Sequence, residues 1–566
     1  MIRKLTISLF FLLLLFPELI SQEISKDDKL RGIVNHFGQA DVTVPYLNRD
    51  QANYLSRHLS VTSVKSKQIY ISISGGDIDW FLDQSFDYRI IDLNNTKGLV
   101  SASDLKQAME WDTYPTYTQY DSIMRSFATR FPSLCRIDTI GKSIYNKLVL
   151  AVKISDNVSS NENEPEVFYT STMHGDETGG FVLMLRLIDY LLVNYNTDSR
   201  AKNLVDNLEI WINPLANPDG TYRTGNTISA PIRRNAEGLD LNRSFPDPME
   251  PGITVAKENL DMIKFMRKHN YILSVNYHGG AEVVNYPWDR WYSKYHADDQ
   301  WFLGISRAYA DTVHKYSGTG YMTDESNGVT RGAEWYIIYG GRQDFVTWEL
   351  QGREVTIELD RLKTTPAAQL GLLWLYNRNS LLGYMENALY GIHGLVRDSS
   401  TQAPVRAKVF ISGHDKDSSH VYSDTLYGAF TRMLSPGTYN LTFSAKGFKD
   451  KTVSNITVFE RQKTDLLVDM EADFNYIEVP LSGPPVIYPN PAKEVLHAVL
   501  PKGFAGYINV KITGISGNLA REFYIYNQEG VPVSFDTGNL PSGSYILIFT
   551  NNSTGAISKG RFIIVK

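Results

Sequence analysis

At 566 residues the chain is too long for one hydrophobic core, so two to four domains are expected. Hydrophobic residues make up 43% and aromatics 12%, with 34 Tyr and 9 Trp, which is ample for globular packing. The 56 basic and 62 acidic residues leave a net charge of -6, which gives no basic footprint for nucleic acid.

The N-terminus starts Met1-Ile2-Arg3-Lys4 and continues as an apolar run over 5–16. That run is shorter than the ~20 apolar residues a membrane span needs. Two cations before a short apolar core read as a secretory signal peptide over 1–21, cut near Leu19-Ile20-Ser21. No later stretch is apolar enough for a transmembrane segment.

Residues 22–112 read as a small separate α/β region. Gln68-Ile69-Tyr70-Ile71-Ser72-Ile73 alternates like a strand, a short helix starts at 77–82, and 92–97 is polar. From 113 to 388 the pattern is α/β. Ile123, Phe127 and Phe131 share a helical face stopped by Pro132. Apolar runs at 148–152, 167–169, 208–212, 271–275 and 355–359 read as buried strands, with helices at 181–192 and 260–266 between them. That alternation predicts a mixed, mostly parallel sheet covered by helices on both faces. Cys135 is the only cysteine, so no internal disulfide forms, and it is expected to be a small buried hydrophobe.

The texture then becomes all-β. Short alternating strands at 392–396, 408–411 and 439–443, with a turn at Ser435-Pro436-Gly437, predict a β-sandwich over 389–471. A linker over 472–487 contains Leu481-Ser482-Gly483-Pro484-Pro485. A second small β-domain follows over 488–566, with the turn Leu540-Pro541-Ser542-Gly543.

The chemistry concentrates at the ends of two predicted strands. His174 and Glu177 follow the strand at 167–169 and precede a helix that begins near Gly180. His278, in Asn276-Tyr277-His278-Gly279-Gly280, ends the strand at 271–275. Open α/β sheets place their sites outside the carboxyl ends of strands. Two His and one Glu give Zn²⁺ three protein ligands and leave the fourth position for water, the arrangement of a catalytic site. His-x-x-Glu alone is common by chance, so the second strand end carries the weight. His296, His414 and His420 sit among charged or Ser-rich neighbours and are expected to be solvated.

Asp240-Leu241-Asn242-Arg243 offers a guanidinium fork that matches a carboxylate, against the plain alternative of a surface Arg. Arg233 and Arg234 are candidates to stabilise an oxyanion. Glu358, flanked by apolar strand residues, either points to solvent or is held in a site. In a site, desolvation would raise its pKa toward that of a general base.

These stretches closely resemble the zinc metallocarboxypeptidases (the funnelin family), above all the regulatory subfamily that includes carboxypeptidases D, E, M and N. The resemblance is carried in order by His174-Gly175-Asp176-Glu177, Asn217-Pro218-Asp219-Gly220, the run 238–247 with its Asp240-Leu241-Asn242-Arg243, Asn276-Tyr277-His278-Gly279-Gly280 and Asn285-Tyr286-Pro287. It continues through Gly332-Ala333-Glu334-Trp335-Tyr336, Gly340-Gly341-Arg342-Gln343-Asp344-Phe345 and Thr356-Ile357-Glu358-Leu359. It spans most of 113–388.

The resemblance implies one Zn²⁺ per chain on His174, Glu177 and His278, with Glu358 as general base and Arg233 as the oxyanion arginine. It implies that Asn242 and Arg243 clamp the substrate's terminal carboxylate, that Tyr336 closes over the terminal residue, and that Asp240 orients His174. Asp289 and Gln343 match the polar residues of the side-chain pocket, which implies a preference for C-terminal Lys or Arg. Ser244 departs from the subfamily, which usually has Asn there.

Residues 389–471 resemble the subfamily's transthyretin-like module through Gly394-Leu395-Val396-Arg397-Asp398 and Pro436-Gly437-Thr438-Tyr439. The final region resembles the C-terminal sorting domain of Por (type IX) secretion through Tyr488-Pro489-Asn490-Pro491-Ala492 and Leu540-Pro541-Ser542-Gly543-Ser544-Tyr545-Ile546. Residues 22–112 loosely resemble a pro-segment. The implied partners are peptide C-termini as substrate and the secretion machinery. The implied location is outside a Gram-negative cell or on its surface, reached through the periplasm. Two rival readings use the same ligands: a zinc amide hydrolase for cell-wall peptides or acylated amino acids, and an inactive binding protein. The Asn242–Arg243 clamp and the β-sandwich argue against the first, and an intact Glu358 against the second.

Overall fold

The computed structural model describes residues 24–91, 98–250, 252–318, 320–473 and 483–566. The expected signal peptide (1–21), the polar stretch 92–97 and the middle of the expected linker (474–482) lie outside the described residues. The chain divides into two compact units, Met1–Glu386 and Asn387–Lys566.

The first unit opens with its own small sheet. β1 (Gln39–Pro45), β2 (Ser60–Lys65), β3 (Gln68–Ser74) and β4 (Arg89–Ile91) pair antiparallel in the order β2-β3-β1-β4. Ile69, Ile71 and Ile73 recur with period two and turn one face inward, against Leu55 and Phe81 from the helices Arg49–His58 and Ile78–Asp83. The helix Arg49–His58 starts where the Asn48 side chain accepts the Gln51 N–H. We call residues 24–91 the N-terminal module. β2 is one of its two edge strands, and the register slips between Val61 and Ser63, which leaves Thr62 as an extra residue.

The main sheet has eight strands: β5 (Cys135–Lys142), β6 (Leu148–Ile154), β7 (Glu166–Ser171), β8 (Glu209–Asn213), β9 (Tyr271–His278), β10 (Ala281–Tyr286), β11 (Val329–Arg331) and β12 (Arg353–Asp360). Their order is β11-β10-β12-β9-β7-β8-β6-β5. The central pairs β12–β9, β9–β7 and β7–β8 are parallel, while β12–β10, β8–β6 and β6–β5 are antiparallel. This is the mixed α/β sheet the alternation predicts. The central strands read as continuous apolar runs because both of their faces are covered. Trp211 of β8 is fully buried against Phe265 (ring centroids 5.3 Å) and His269 (4.5 Å) on one side. Truncating such a side chain to Ala costs about 3–5 kcal/mol. Cys135 is buried and free, and burial pushes its thiol up to about 12, so it behaves as a small hydrophobe.

The second unit is all-β, as expected. The strands between Gly391 and Met470 form a three-stranded and a four-stranded sheet. Ile392, Val396, Val409, Leu441 and Phe443 fill the core between them. The strands between Val486 and Ile564 repeat that arrangement around Leu496, Ile508, Val510, Leu547 and Phe562. Among the described residues no helix is long and apolar enough to cross a membrane.

Candidate metal centre and the cleft around it

Parallel pairing of β7 with β9 sets Ser171 opposite Tyr277, so the two strand ends lie side by side. His278 is the last residue of β9, and His174 and Glu177 lie in the loop after β7. That loop is tightly shaped. Thr172 has φ of 60°, which is unusual for a β-branched residue. A Cβ on Gly175 would meet the Gly220 backbone at 2.3 Å, so only glycine fits. Asn217 spans the gap, donating to the carbonyls of Met173 (3.1 Å) and Arg233 (3.3 Å). This accounts for an Asn in the Asn217-Pro218-Asp219-Gly220 run.

His174 Nδ1 lies 2.8 Å from Glu177 Oε1, His278 Nδ1 lies 2.7 Å from Glu177 Oε2, and the two Nδ1 atoms are 3.0 Å apart. All three residues are buried. His174 Nε2 meets Asp240 Oδ1 at 3.0 Å, the carboxylate–histidine contact that orients a metal ligand. His278 Nε2 lies 2.6 Å from the Asn276 amide, two residues back on the same face of β9. Burial lowers His278 to about 4, so its ring is neutral, the form that binds a cation. Burial alone would raise Glu177, but His174 and His278 beside it hold it well below its ordinary value. Two imidazole nitrogens and a carboxylate, mutually facing and buried, fit the donor set of a zinc site with three protein ligands.

Glu358 stands directly opposite His278 in the parallel β12–β9 register, so both side chains leave the same face. Its Oε2 is buried with no hydrogen-bond partner among the described residues. Burial, and then the charge of Glu177, push its carboxyl well above the usual range. Asp240 Oδ2 accepts from Arg233 Nε at 2.8 Å, and Arg233 Nη1 also reaches Glu177 Oε1 at 3.1 Å. Burial works against charge on both residues. Even so, Arg233 and His174 hold Asp240 well below its ordinary value, and Asp240 and Glu177 hold Arg233 above its own. Arg234 turns the other way, donating to Ser60 Oγ (2.9 Å) and pairing with Asp77 of the module. Of the two arginines, only Arg233 reaches the metal cluster.

Two of the residues matched to substrate binding, Arg243 and Tyr336, are engaged by the module. Arg243 donates to the Val61 carbonyl at 2.8 Å, and the Tyr336 hydroxyl to the Thr62 carbonyl at 3.4 Å. Ser60 Oγ donates to Asp240 Oδ2 at 2.7 Å. Gln39 donates to Asp176 Oδ2 (3.1 Å) and accepts the Arg233 N–H (2.8 Å), and Lys363 pairs with Asp41 at 2.6 Å. Tyr336 and Ile338 belong to the module's own hydrophobic core. β2 is an edge strand, so its outward carbonyls are free to accept from a neighbour.

Asn242 Oδ1 accepts the Arg342 N–H at 2.9 Å. Asp289 Oδ1 accepts from Asn285 Nδ2 (2.9 Å) and Gln343 Nε2 (3.1 Å), and burial pushes Asp289 up to about 6. Ser244 Oγ donates to the Asp240 carbonyl at 2.7 Å and stays outside the cluster.

One expectation fails. His296 is buried rather than solvated, because its ring packs against Trp288 (5.1 Å) and Phe302 (5.1 Å) and its Nδ1 accepts the Asp298 N–H at 2.9 Å. His414 and His420 are partly covered. Asn276 and Asn285 carry no assigned role in the sequence reading, where they stand only within motifs, and Lys363 is not singled out. The first shares a strand face with His278 at a spacing of two, a signal available from the pattern alone. Gln39, Asp41, Ser60 and Asp77 carry no such signal, since tertiary packing alone brings them to the cleft.

Comparison with known proteins agrees with this geometry. Residues 120–380 match the zinc carboxypeptidase family model, residues 391–471 the carboxypeptidase regulatory-like domain, and residues 486–566 the secretion system C-terminal sorting domain. The chain is 34% identical over 371 residues to human carboxypeptidase D, covering 60% of this chain and 26% of that one. It thus spans about a quarter of the length of that relative. It is 31% identical over 381 residues to the carboxypeptidase N catalytic chain of Rattus norvegicus, covering 59% of this chain and 82% of that one. A solved carboxypeptidase A from Helicoverpa armigera aligns with 62% of this chain and 98% of its own at 19% identity, with a TM-score of 0.48. With the ligand trio on the strand ends and a relative matched over most of its length, the chain belongs to the zinc carboxypeptidase family.

Proposed function

We propose that this chain is a secreted carboxypeptidase precursor that removes single residues from peptide C-termini, with a preference for Lys or Arg. In this reading it stays latent while the N-terminal module covers the cleft. The observation that carries the catalytic reading is the meeting of His174, Glu177 and His278 beside a Glu358 oxygen that has no partner among the described residues. When bound there, Zn²⁺ polarises the scissile carbonyl and lowers the pKa of its water toward about 7. Beside a zinc held there, Glu358 would take a proton from the attacking water and pass it to the leaving amine, a task for which its raised pKa suits it. Arg233, held charged by Asp240 and Glu177, faces the developing oxyanion. Asn242 and Arg243 hold the terminal carboxylate, Tyr336 closes over the last residue, and Asp289 with Gln343 receives its side chain.

Latency follows from the donors already in use. Arg243 Nη2 and the Tyr336 hydroxyl are turned to the Val61 and Thr62 carbonyls, so the module lies where a substrate's terminal residue would meet them. The region 22–112 then acts as a pro-segment. The C-terminal domain is the signal read by the secretion machinery, and the route runs through the periplasm to the outside or surface of a Gram-negative cell. The test is to incubate the protein, after limited proteolysis, with a random peptide library and follow masses. Loss of single C-terminal Lys or Arg residues is expected. Internal fragments, or release of acyl groups alone, would overturn the reading.

A further inference from the structure

We infer that Asp344 is a positioning residue for the side-chain pocket, fixing Asp289 through its backbone. This rests on the reading of Asp289 as the acid that meets a basic C-terminal side chain.

The pocket acid stands on an irregular arm. β10 ends at Tyr286, and Pro287, Trp288 and Asp289 continue without a strand partner. Such an arm needs its amide groups satisfied, and their partners decide where the side chain points. Asp344 meets that need twice. Its Oδ1 accepts the Asp289 N–H at 3.0 Å and its Oδ2 accepts the Arg290 N–H at 2.8 Å. Two consecutive amides held by one carboxylate fix the peptide plane between them, and with it the direction in which Asp289 leaves the chain. The Ile338 N–H closes the other side on the Asp289 carbonyl at 3.1 Å. Asp344 is itself buried, so no water can replace it without rearrangement.

The helix that carries Asp344, Arg342–Glu349, ties the pocket to the clamp. In its first turn the Arg342 N–H holds Asn242 Oδ1, Gln343 Nε2 meets Asp289 Oδ1, and Asp344 holds the arm's backbone. Three consecutive residues thus set the distance between the group that grips the carboxylate and the group that reads the side chain. The fit is close: a Cβ on Gly332 would lie 1.7 Å from Asp289 Oδ1. Around that carboxylate the Asn285 and Gln343 amides spend their N–H groups on Asp289, and Asn285 Oδ1 and Gln343 Oε1 have no donor among the described residues. The pocket wall therefore presents acceptors, which suits a cationic guest only while Asp289 stays aimed at it.

Asp344→Asn keeps the volume but sets an NH₂ group against one of the two amides. A displacement of about an ångström at a positioned group costs on the order of 10²-fold in rate. The experiment is a double-mutant cycle on the full chain, every variant activated by the same proteolysis. Wild type, Asp344→Asn, Asp289→Ala and the double variant are assayed with matched peptides ending in Arg and in Phe, alongside zinc content. Asp344→Asn is expected to raise KM for the Arg peptide about 10- to 100-fold, change kcat far less, retain zinc, and add little on top of Asp289→Ala. Asp344→Glu, with the carboxylate restored, should recover part of the Arg preference. Equal losses for Arg and Phe peptides, or effects that add fully with Asp289→Ala, would overturn the inference and make Asp344 a general structural residue. If Asp344→Asn does not fold, Asp344→Ser, which keeps one acceptor, takes its place in the cycle. A wild type with no preference for Arg over Phe would instead refute the pocket itself, and the Asp344 inference with it.

Discussion

The two halves of the cleft differ in what satisfies them. In the metal half, His174, Glu177, His278, Asp240 and Arg233 bond chiefly to one another. In the substrate half, Arg243 and Tyr336 bond to backbone carbonyls of the N-terminal module. The proposed metal ligands thus lie wholly inside the catalytic region, with the module reaching their surroundings through Ser60 on Asp240 and Gln39 on Arg233, while two of the proposed binding residues face the module. Maturation should therefore change substrate access and leave metal binding nearly as it was.

The largest expected effect lies in the metal half. His278→Ala removes one of three ligands and should abolish both zinc retention and hydrolysis. Atomic absorption and peptide turnover on the same preparation check this, and full activity in metal-free protein would contradict it. Glu358→Gln keeps shape and zinc but removes the base. It should cost about 10²–10⁴ in kcat, measured in zinc-loaded protein, and an unchanged kcat would move that role elsewhere.

The substrate half should respond selectively. Asp289→Ala leaves a buried cationic guest unpaired and should cost about 3–5 kcal/mol for Arg- or Lys-ended peptides. That is about two to four powers of ten in kcat/KM, with Phe- and Leu-ended peptides losing little. A wild-type preference for Phe or Leu would sink the pocket assignment and leave the metal chemistry standing.

A smaller effect follows from acidity. Burial pushes Asp289 up to about 6, so below that pH a proton competes with the incoming cation. KM for an Arg-ended peptide should rise as pH falls through about 6, approaching about tenfold per pH unit. A Phe-ended peptide, which needs no charge there, should show no such rise. The stability effect has a definite sign: a raised carboxyl favours the folded state at low pH, and that contribution is lost as pH climbs from about 3.9 through about 6. A KM for the Arg peptide that stays flat across this window would contradict the raised value.

The same division decides what the sequence could reveal. The middles of strands β7, β9 and β12 read as largely apolar runs because both faces of the sheet are covered, and His174 and His278 stand out as polar residues at the strand ends. Glu358 was legible for the same reason, as the one acid within the apolar run 355–359. Asp289 and Tyr336 sit outside regular elements, and Gln343 in the first turn of the short helix Arg342–Glu349; none shows a periodic pattern, and only the resemblance to a family singled them out. β1, β2 and the helix Arg49–His58 escaped notice, since short half-buried segments carry weak patterns. The cleft partners of Gln39, Asp41, Ser60 and Asp77 are 137 to 322 residues away, beyond any local signal. His296 misled because its polar sequence neighbours are not its spatial ones, which are Trp288 and Phe302.

The most direct test of a complete metal half beside an occupied substrate half is a paired measurement on one preparation. Zinc content and turnover of an Arg-ended peptide are recorded for the full chain before and after proteolysis separates the N-terminal module. One zinc per chain in both forms, with turnover confined to the cut form, is the predicted result. Equal turnover in both forms, or zinc lost with the module, would contradict it.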